Sequence, residues 1–157
     1  MLVAIQFYTL KFSCEYNNKP LTNITFATYD NQSVLSYNFL QNSVLNFNDL
    51  QIHRYKPNYI LESGDFKCGT GFCSHGDLYS ESPLTSPFKY SLAATGLEYR
   101  IGSGFYVQLS NKIKNQGSIF GYMVNGDEVA QKLKNIQIDG DKVIGDLKLK
   151  FLFYEEK

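Results

Sequence analysis

Apolar and polar positions alternate along two long runs near the start of the chain, Leu2–Tyr16 and Leu21–Tyr29, separated by Asn17-Asn18-Lys19-Pro20. Period-two alternation on both sides of turn chemistry predicts a β-hairpin. The interval then changes. From Asp30 or Asn31, either of which can cap, Val34, Leu35, Phe39 and Leu40 fall near helical spacing and predict a short helix ending by about Asn42. Short strands follow around Leu50–Tyr55, Tyr59–Leu61, Tyr90–Ala94, Phe105–Leu109 and Ser118–Val124, joined by loops rich in Gly and Ser. Asn125-Gly126-Asp127 opens a second predicted helix, with Val129, Ala130 and Leu133 on one face and Asn135 as its C-terminal cap. In the final strand, Asp146–Tyr154, Leu147, Leu149, Phe151 and Phe153 alternate with Lys148 and Lys150, the pattern of a half-buried strand. Seven or eight strands with two helices predict a mainly β chain, a closed antiparallel barrel plugged by helices.

Composition narrows this picture by exclusion. The 157 residues contain no repeats, linkers or charge blocks, so a single domain over 1–157 is expected. Lys+Arg and Asp+Glu both number 15, and no basic excess points to nucleic acid or an anionic membrane. No apolar run reaches the roughly 18 residues of a membrane span. The apolar opening Met1–Leu10 lacks a basic flank and a small-residue cleavage site, and it reads as something other than a signal peptide. Three cysteines, Cys14, Cys68 and Cys73, are an odd and small number, which disfavours a secreted disulfide framework and suggests a reducing, intracellular and cytoplasmic setting. The aromatic supply is 12 Tyr and 12 Phe without Trp, and the only arginines are Arg54 and Arg100.

One central stretch carries more information. Ile52-His53-Arg54-Tyr55-Lys56-Pro57-Asn58-Tyr59-Ile60-Leu61-Glu62-Ser63-Gly64-Asp65-Phe66 resembles the FHRxxPxFxxQGGDF signature of the cyclophilins, a family of peptidyl-prolyl cis-trans isomerases. Asn18-Lys19-Pro20-Leu21 is similar to the family's first turn and Asn38-Phe39-Leu40 to part of its first helix. Tyr90-Ser91-Leu92-Ala93-Ala94 resembles the LSMAN strand, Gly102-Ser103-Gly104-Phe105-Tyr106 the GSQFF strand, and Phe120–Gly126 the VFGxVxxG strand. The resemblance implies an eight-stranded antiparallel β-barrel closed by two α-helices, with no cofactor and no metal, acting on proline-containing peptides or proteins.

The implied chemistry is non-covalent. Amide resonance sets a rotation barrier of about 18–20 kcal/mol, and a donor to the prolyl nitrogen lowers it by localising the lone pair. A guanidinium remains such a donor at any working pH. Arg54 matches the family's catalytic arginine, and Tyr59, Ile60, Glu62, Ala93, Ala94, Tyr106 and Ile113 fall at substrate-binding positions. Several of these depart from the family pattern. Tyr59 and Tyr106 stand for phenylalanines, Glu62 and Gly104 for glutamines, and Ala94 for an asparagine. Aligned backwards from Phe120, Lys112 falls where the family has tryptophan and Gly117 where it has histidine. Without a tryptophan, cyclosporin binding is expected to be weak or absent.

One charge-assisted hydrogen bond supplies about 1.5–3 kcal/mol, against the roughly 8 that a million-fold acceleration needs. Losing three backbone-gripping amides therefore implies reduced activity. The rival reading is an inactive interaction module or structural subunit of a larger assembly. Elsewhere, Cys68, Cys73 and His75 suggest zinc, but the spacing is wide and a fourth ligand is lacking nearby. A surface loop, or a redox-responsive Cys68–Cys73 pair, fits better.

Overall fold

A computed structural model describes residues 6–78, 86–95, 100–111 and 117–157. The first hairpin joins β1 (Gln6–Tyr16) to β2 (Lys19–Tyr29) through Asn17 and Asn18, both left-handed with φ of +51° and +66°. That is the two-residue turn whose twist suits antiparallel strands, and asparagine tolerates it. A 3-10 turn, Asp30–Gln32, leads into α1 (Ser33–Asn46). β3 (Leu50–Lys56), β4 (Ile60–Ser63), β5 (His75–Leu78), β6 (Ser91–Ala94), β7 (Phe105–Gln108) and β8 (Ser118–Met123) follow. α2 (Gly126–Lys132) ends in a 3-10 turn, Leu133–Asn135, before the small hairpin β9 (Ile138–Asp139) and β10 (Lys142–Val143) and the last strand β11 (Leu147–Glu156).

Among the described residues, eight strands close an antiparallel barrel in the order β1-β11-β3-β4-β7-β6-β8-β2. The expected barrel and its two helices are therefore present. Its interior is built on phenylalanine. Phe39 of α1 enters between Phe12, Phe26, Phe47, Phe105 and Phe120, with ring centroids 5.1–6.2 Å apart. Edge-on and tilted contacts of this kind add to the burial of the rings themselves.

The differences from expectation have local causes. α1 runs four residues past Asn42 because Asn38, Asn42 and Asn46 stack at helical spacing. Asn42 Nδ2 donates to Asn38 O at 3.0 Å and Asn46 Nδ2 to Asn42 Oδ1 at 3.0 Å, so residues that elsewhere end helices here bridge successive turns. β6 starts at Ser91 because Tyr90 turns to φ +74°, its hydroxyl donating to Asp127 Oδ1 at 2.6 Å. In β11 the alternation holds through Leu147 and Leu149, but Phe153 is exposed. The β1–β11 register slips between Lys11 and Phe12, and Phe153 lies beneath the Lys11 ammonium. The short strands β5, β9 and β10 carry too few residues for alternation to declare itself.

After β4 the chain is organised by one buried carboxylate. Asp65 accepts backbone N–H bonds from Cys68, Thr70, Gly71 and Cys73 at 2.8–3.2 Å. Burial pushes its carboxyl up, but these donors outweigh burial and hold it below the ordinary range. Cys68 and Cys73 close the same loop as a disulfide, with Cα atoms 5.7 Å apart. Two of the three cysteines are thus bridged despite the odd count, and Cys14 lies in the core, its thiol pushed up by burial to about 12.

Asp65→Ala strands four N–H groups, and urea unfolding followed by tyrosine fluorescence is expected to show a loss of about 2–4 kcal/mol. Because the folded pKa is depressed, the carboxylate's contribution is complete above its unfolded value of about 3.9 and disappears as pH falls through the lower folded value. The gap between wild type and variant narrows over that acid window only.

Candidate functional site

One row of residues crosses the outer face of the barrel on five adjacent strands. Arg54 of β3 faces Glu62 of β4, Glu62 faces Tyr106 of β7, Tyr106 faces Ala93 of β6, and Ala93 faces Ile119 of β8. Ile60, Ala93, Tyr106 and Ile119 form an apolar cluster separate from the barrel core, with Tyr29, Tyr59 and Phe88 packed against it. A cation at one end of the row and a hydrophobic floor at the other is the geometric content of the site.

A bulge in β3 builds the charged end. Ile52 pairs with Ser63 and Arg54 with Glu62, so His53 is an extra residue and both His53 and Arg54 lie opposite Glu62. Glu62 bridges them. His53 Nε2 donates to Oε1 at 3.3 Å and Arg54 Nη1 to Oε2 at 3.4 Å. His53 Nδ1 is buried without a hydrogen-bond partner among the described residues, which fits a proton on Nε2. Arg54 Nη2 donates to Tyr59 Oη at 3.3 Å, with the guanidinium carbon 5.3 Å from the Tyr59 ring centroid. The Arg54 side chain remains about one-third exposed, at 34%.

Arg54 has a further partner on a distant segment. Its Nε donates to Asp141 Oδ2 at 2.6 Å. Asp141 lies in the two-residue turn joining β9 to β10, and its main-chain oxygen accepts from Tyr55 N at 2.8 Å. Burial works against the guanidinium's charge, but Asp141, Tyr59 and Glu62 outweigh it and raise the Arg54 pKa. The Arg54 hydrogen bond holds the Asp141 carboxyl below its ordinary range. Burial raises Glu62, while His53 and Arg54 lower it further, leaving it ionised below the usual carboxylate range.

Tyr106 and Gly117 fit one another. The Gly117 N–H bonds to the phenol oxygen, and burial pushes the Tyr106 hydroxyl to about 12, so it stays neutral. A Cβ at Gly117 would collide with that hydroxyl and come within 2.7 Å of Tyr106 Cε1. Gly104 is equally constrained, since a Cβ there would meet Ser74 Oγ at 2.8 Å and Thr95 Cβ at 3.1 Å. The glutamine expected from the resemblance has no room at that position. Ala94 differs from the other expected site residues because its methyl packs in the barrel core beside Phe105, leaving only its main chain for the outer face. Ile113, with Lys112, lies outside the described residues. The zinc reading of Cys68, Cys73 and His75 gives way to the disulfide. The carboxylate beside those sulfurs is Asp65, and His75 sits in β5 bridged to Ile101.

Residues 11–150 match the family described as cyclophilin type peptidyl-prolyl cis-trans isomerase/CLD. The chain belongs to the cyclophilin family. A solved structure of a Cryptosporidium parvum cyclophilin type peptidyl-prolyl cis-trans isomerase is similar at TM-score 0.76 and 18% identity, covering 95% of this chain and 99% of the other. A second structure of that protein, obtained in the presence of the dipeptide Ala-Pro, is similar at TM-score 0.76 and 20% identity, covering 95% of this chain and 98% of the other. These likenesses carry the cyclophilin fold. No helix among the described residues is long and apolar enough to cross a membrane.

Gly117→His is expected to lower stability by about 1–3 kcal/mol, the usual range for overpacking a close-packed site. Adding Tyr106→Phe removes the hydroxyl but leaves the ring in the way, so thermal unfolding of the double variant should show partial recovery. Full recovery, or no coupling at all between the two changes, contradicts the fit described above.

Proposed function

We propose that this cyclophilin binds X-Pro segments across the face of β3, β4, β7 and β6 and isomerises the prolyl bond with reduced activity. The observation that carries the reading is the row itself: the Arg54 guanidinium set beside the apolar floor of Ile60, Ala93, Tyr106 and Ile119. Family membership supports it, as does the relative whose structure was obtained in the presence of Ala-Pro. In this reading the proline ring rests on the floor and an Arg54 N–H donates to the prolyl nitrogen. That bond is made only as the nitrogen becomes pyramidal, so it stabilises the twisted state over either planar one. The glutamine and asparagine amides expected from the family are missing at Glu62, Gly104 and Ala94. Main-chain contacts and ring burial then supply most of the remaining stabilisation, which is the physical ground for a slow enzyme. Weak cyclosporin binding accompanies this reading, because the chain has no indole to donate or to stack.

The second reading, a non-catalytic module in a larger assembly, draws on one observation. Glu62 occupies Arg54 with a carboxylate where a neutral amide would compete less for the cation. Two substitutions separate the readings. In a protease-coupled assay on a short X-Pro peptide, Arg54→Ala is expected to lower kcat/KM about 10–100-fold, the value of one charge-assisted hydrogen bond. An unchanged rate would sink the proposed role of Arg54. Glu62→Gln is expected to raise the rate by a few-fold, about 1 kcal/mol of released competition. A flat rate together with loss of a co-purifying partner would favour the module.

A further inference from the structure

The β9–β10 hairpin does more than fill space beside the barrel. β11 pairs with β3 at Leu50 and Gln51, whereas at Tyr55 the β3 N–H donates to Asp141 O. Asp141 therefore satisfies a strand-edge donor that would otherwise face outward. The turn that presents it is tight: Asp139 pairs with Lys142, Gly140 takes φ +67°, and Asp141 is the second of the two turn residues. With its main chain fixed on Tyr55 and its carboxylate on the neighbouring Arg54, which lies 87 positions away in sequence, Asp141 holds two consecutive residues of β3.

We infer that Asp141 is a positioning residue for the reaction proposed above, orienting the Arg54 guanidinium so that its terminal nitrogens face the bound X-Pro segment. The inference rests on that functional reading. A guanidinium carries five N–H donors in a fixed plane. Asp141 takes the single donor on Nε, while Glu62 and Tyr59 take one each on Nη1 and Nη2. Among the described residues this leaves two donors, one on each terminal nitrogen. The Nε contact is the shortest of the three, at 2.6 Å against 3.4 and 3.3 Å, and it comes from a segment anchored independently of β4. The Nε–H lies in the guanidinium plane and off the Cδ–Nε bond, so holding it on Asp141 fixes rotation about that bond, and the base contact aims the fork. The contacts at its tips are ones a substrate can displace.

Because Arg54 and Arg100 are the only arginines, the Arg54 Nε–H can be followed as one of two signals in a nitrogen-resolved NMR spectrum. In the wild type this proton should exchange slowly. In Asp141→Ala it should move upfield and broaden by exchange, and in Asp141→Asn, which keeps an acceptor oxygen, it should be largely retained. With an X-Pro peptide as substrate, Asp141→Ala is expected to lower kcat about tenfold with KM changed less than about twofold, as for a contact that matters chiefly in the transition state. Asp141→Asn should recover kcat to within about threefold of wild type in step with its Nε–H signal, a link between rate and guanidinium contact that a merely structural turn does not require. Thermal unfolding of each variant checks that the barrel is intact. An unchanged Nε–H in Asp141→Ala overturns the inference, as does a kcat at or above wild type with the Nε–H lost. If the wild type itself fails to accelerate isomerisation, that defeats the isomerase reading alone. The Nε–H signal of the free proteins then decides the positioning role: its loss in Asp141→Ala with retention in Asp141→Asn upholds it, and an unchanged signal in Asp141→Ala overturns it.

Discussion

The arrangement of the site depends on the extra residue in β3. In a regular strand His53 and Arg54 would point to opposite faces, and one of two polar side chains would enter a barrel packed with phenylalanine. The bulge at Ile52/Arg54 turns both away from the core while Ile52 and Tyr55 remain buried on either side. Two residues then oppose one, and Glu62 alone can reach both. The charged end follows from that mismatch: the shared carboxylate, a His53 Nδ1 without a partner among the described residues, and an Arg54 close enough to Tyr59 to lie over its ring. The register beyond the bulge carries the consequence across the sheet, since Glu62 sets Tyr106 and Tyr106 sets Ala93.

The electrostatics of this end are a balance between burial and pairing. Glu62 is largely withdrawn from water, with a side-chain exposure of 16%, and an unpaired carboxylate there would tend to take up a proton. Two donors keep it ionised. Asp141 is much more open at 43%, so its pairing with Arg54 is screened and adds little to stability on its own. Its value lies in direction. Among the described residues it leaves two N–H groups unspent while limiting where the guanidinium can point, and the reading proposed above, in which the site acts by donating hydrogen bonds, needs both properties together.

Much of this was legible in the sequence, and the illegible parts share a cause. The barrel could be read from alternation in Leu2–Tyr16 and Asp146–Tyr154, and from the family signature around Arg54, because both are local patterns. Tyr59, Ile60, Glu62, Ala93 and Tyr106 lie near one another on the outer face because strand register carries them there. Ala94 shows the limit of motif matching: the alternation that turns Ala93 outward turns Ala94 inward, so a resemblance in sequence placed a methyl group where only main chain is available. Asp141 was missed altogether. Asp139-Gly140-Asp141-Lys142 could have been read as a turn, but no local signal states that its tip reaches a strand some eighty residues earlier. The Cys68–Cys73 bridge is legible only as one alternative, a redox-responsive pair beside an ordinary loop, because no local pattern states that Asp65 draws the two together through backbone donors.

The glycines around the site explain how its departures from the family pattern coexist. A Cβ at Gly71 would lie 2.7 Å from His53 Nε2, one at Gly104 2.8 Å from Ser74 Oγ, and one at Gly117 within 2.7 Å of the Tyr106 ring. In each case the missing side chain leaves a volume that a neighbour already fills. A close-packed surface layer tolerates exchange of volume between adjacent positions far better than a net gain or loss. The phenol of Tyr106 therefore goes with glycine at 117, and the Ser74 side chain with glycine at 104. Single substitutions toward the family residue at Gly104 and Gly117 meet a filled space, whereas Glu62 can be exchanged for the isosteric glutamine without rebuilding the layer. The difference in residues between this chain and the family pattern thus divides into a part bound up with packing, at Gly104 and Gly117, and a part that is only charge, at Glu62.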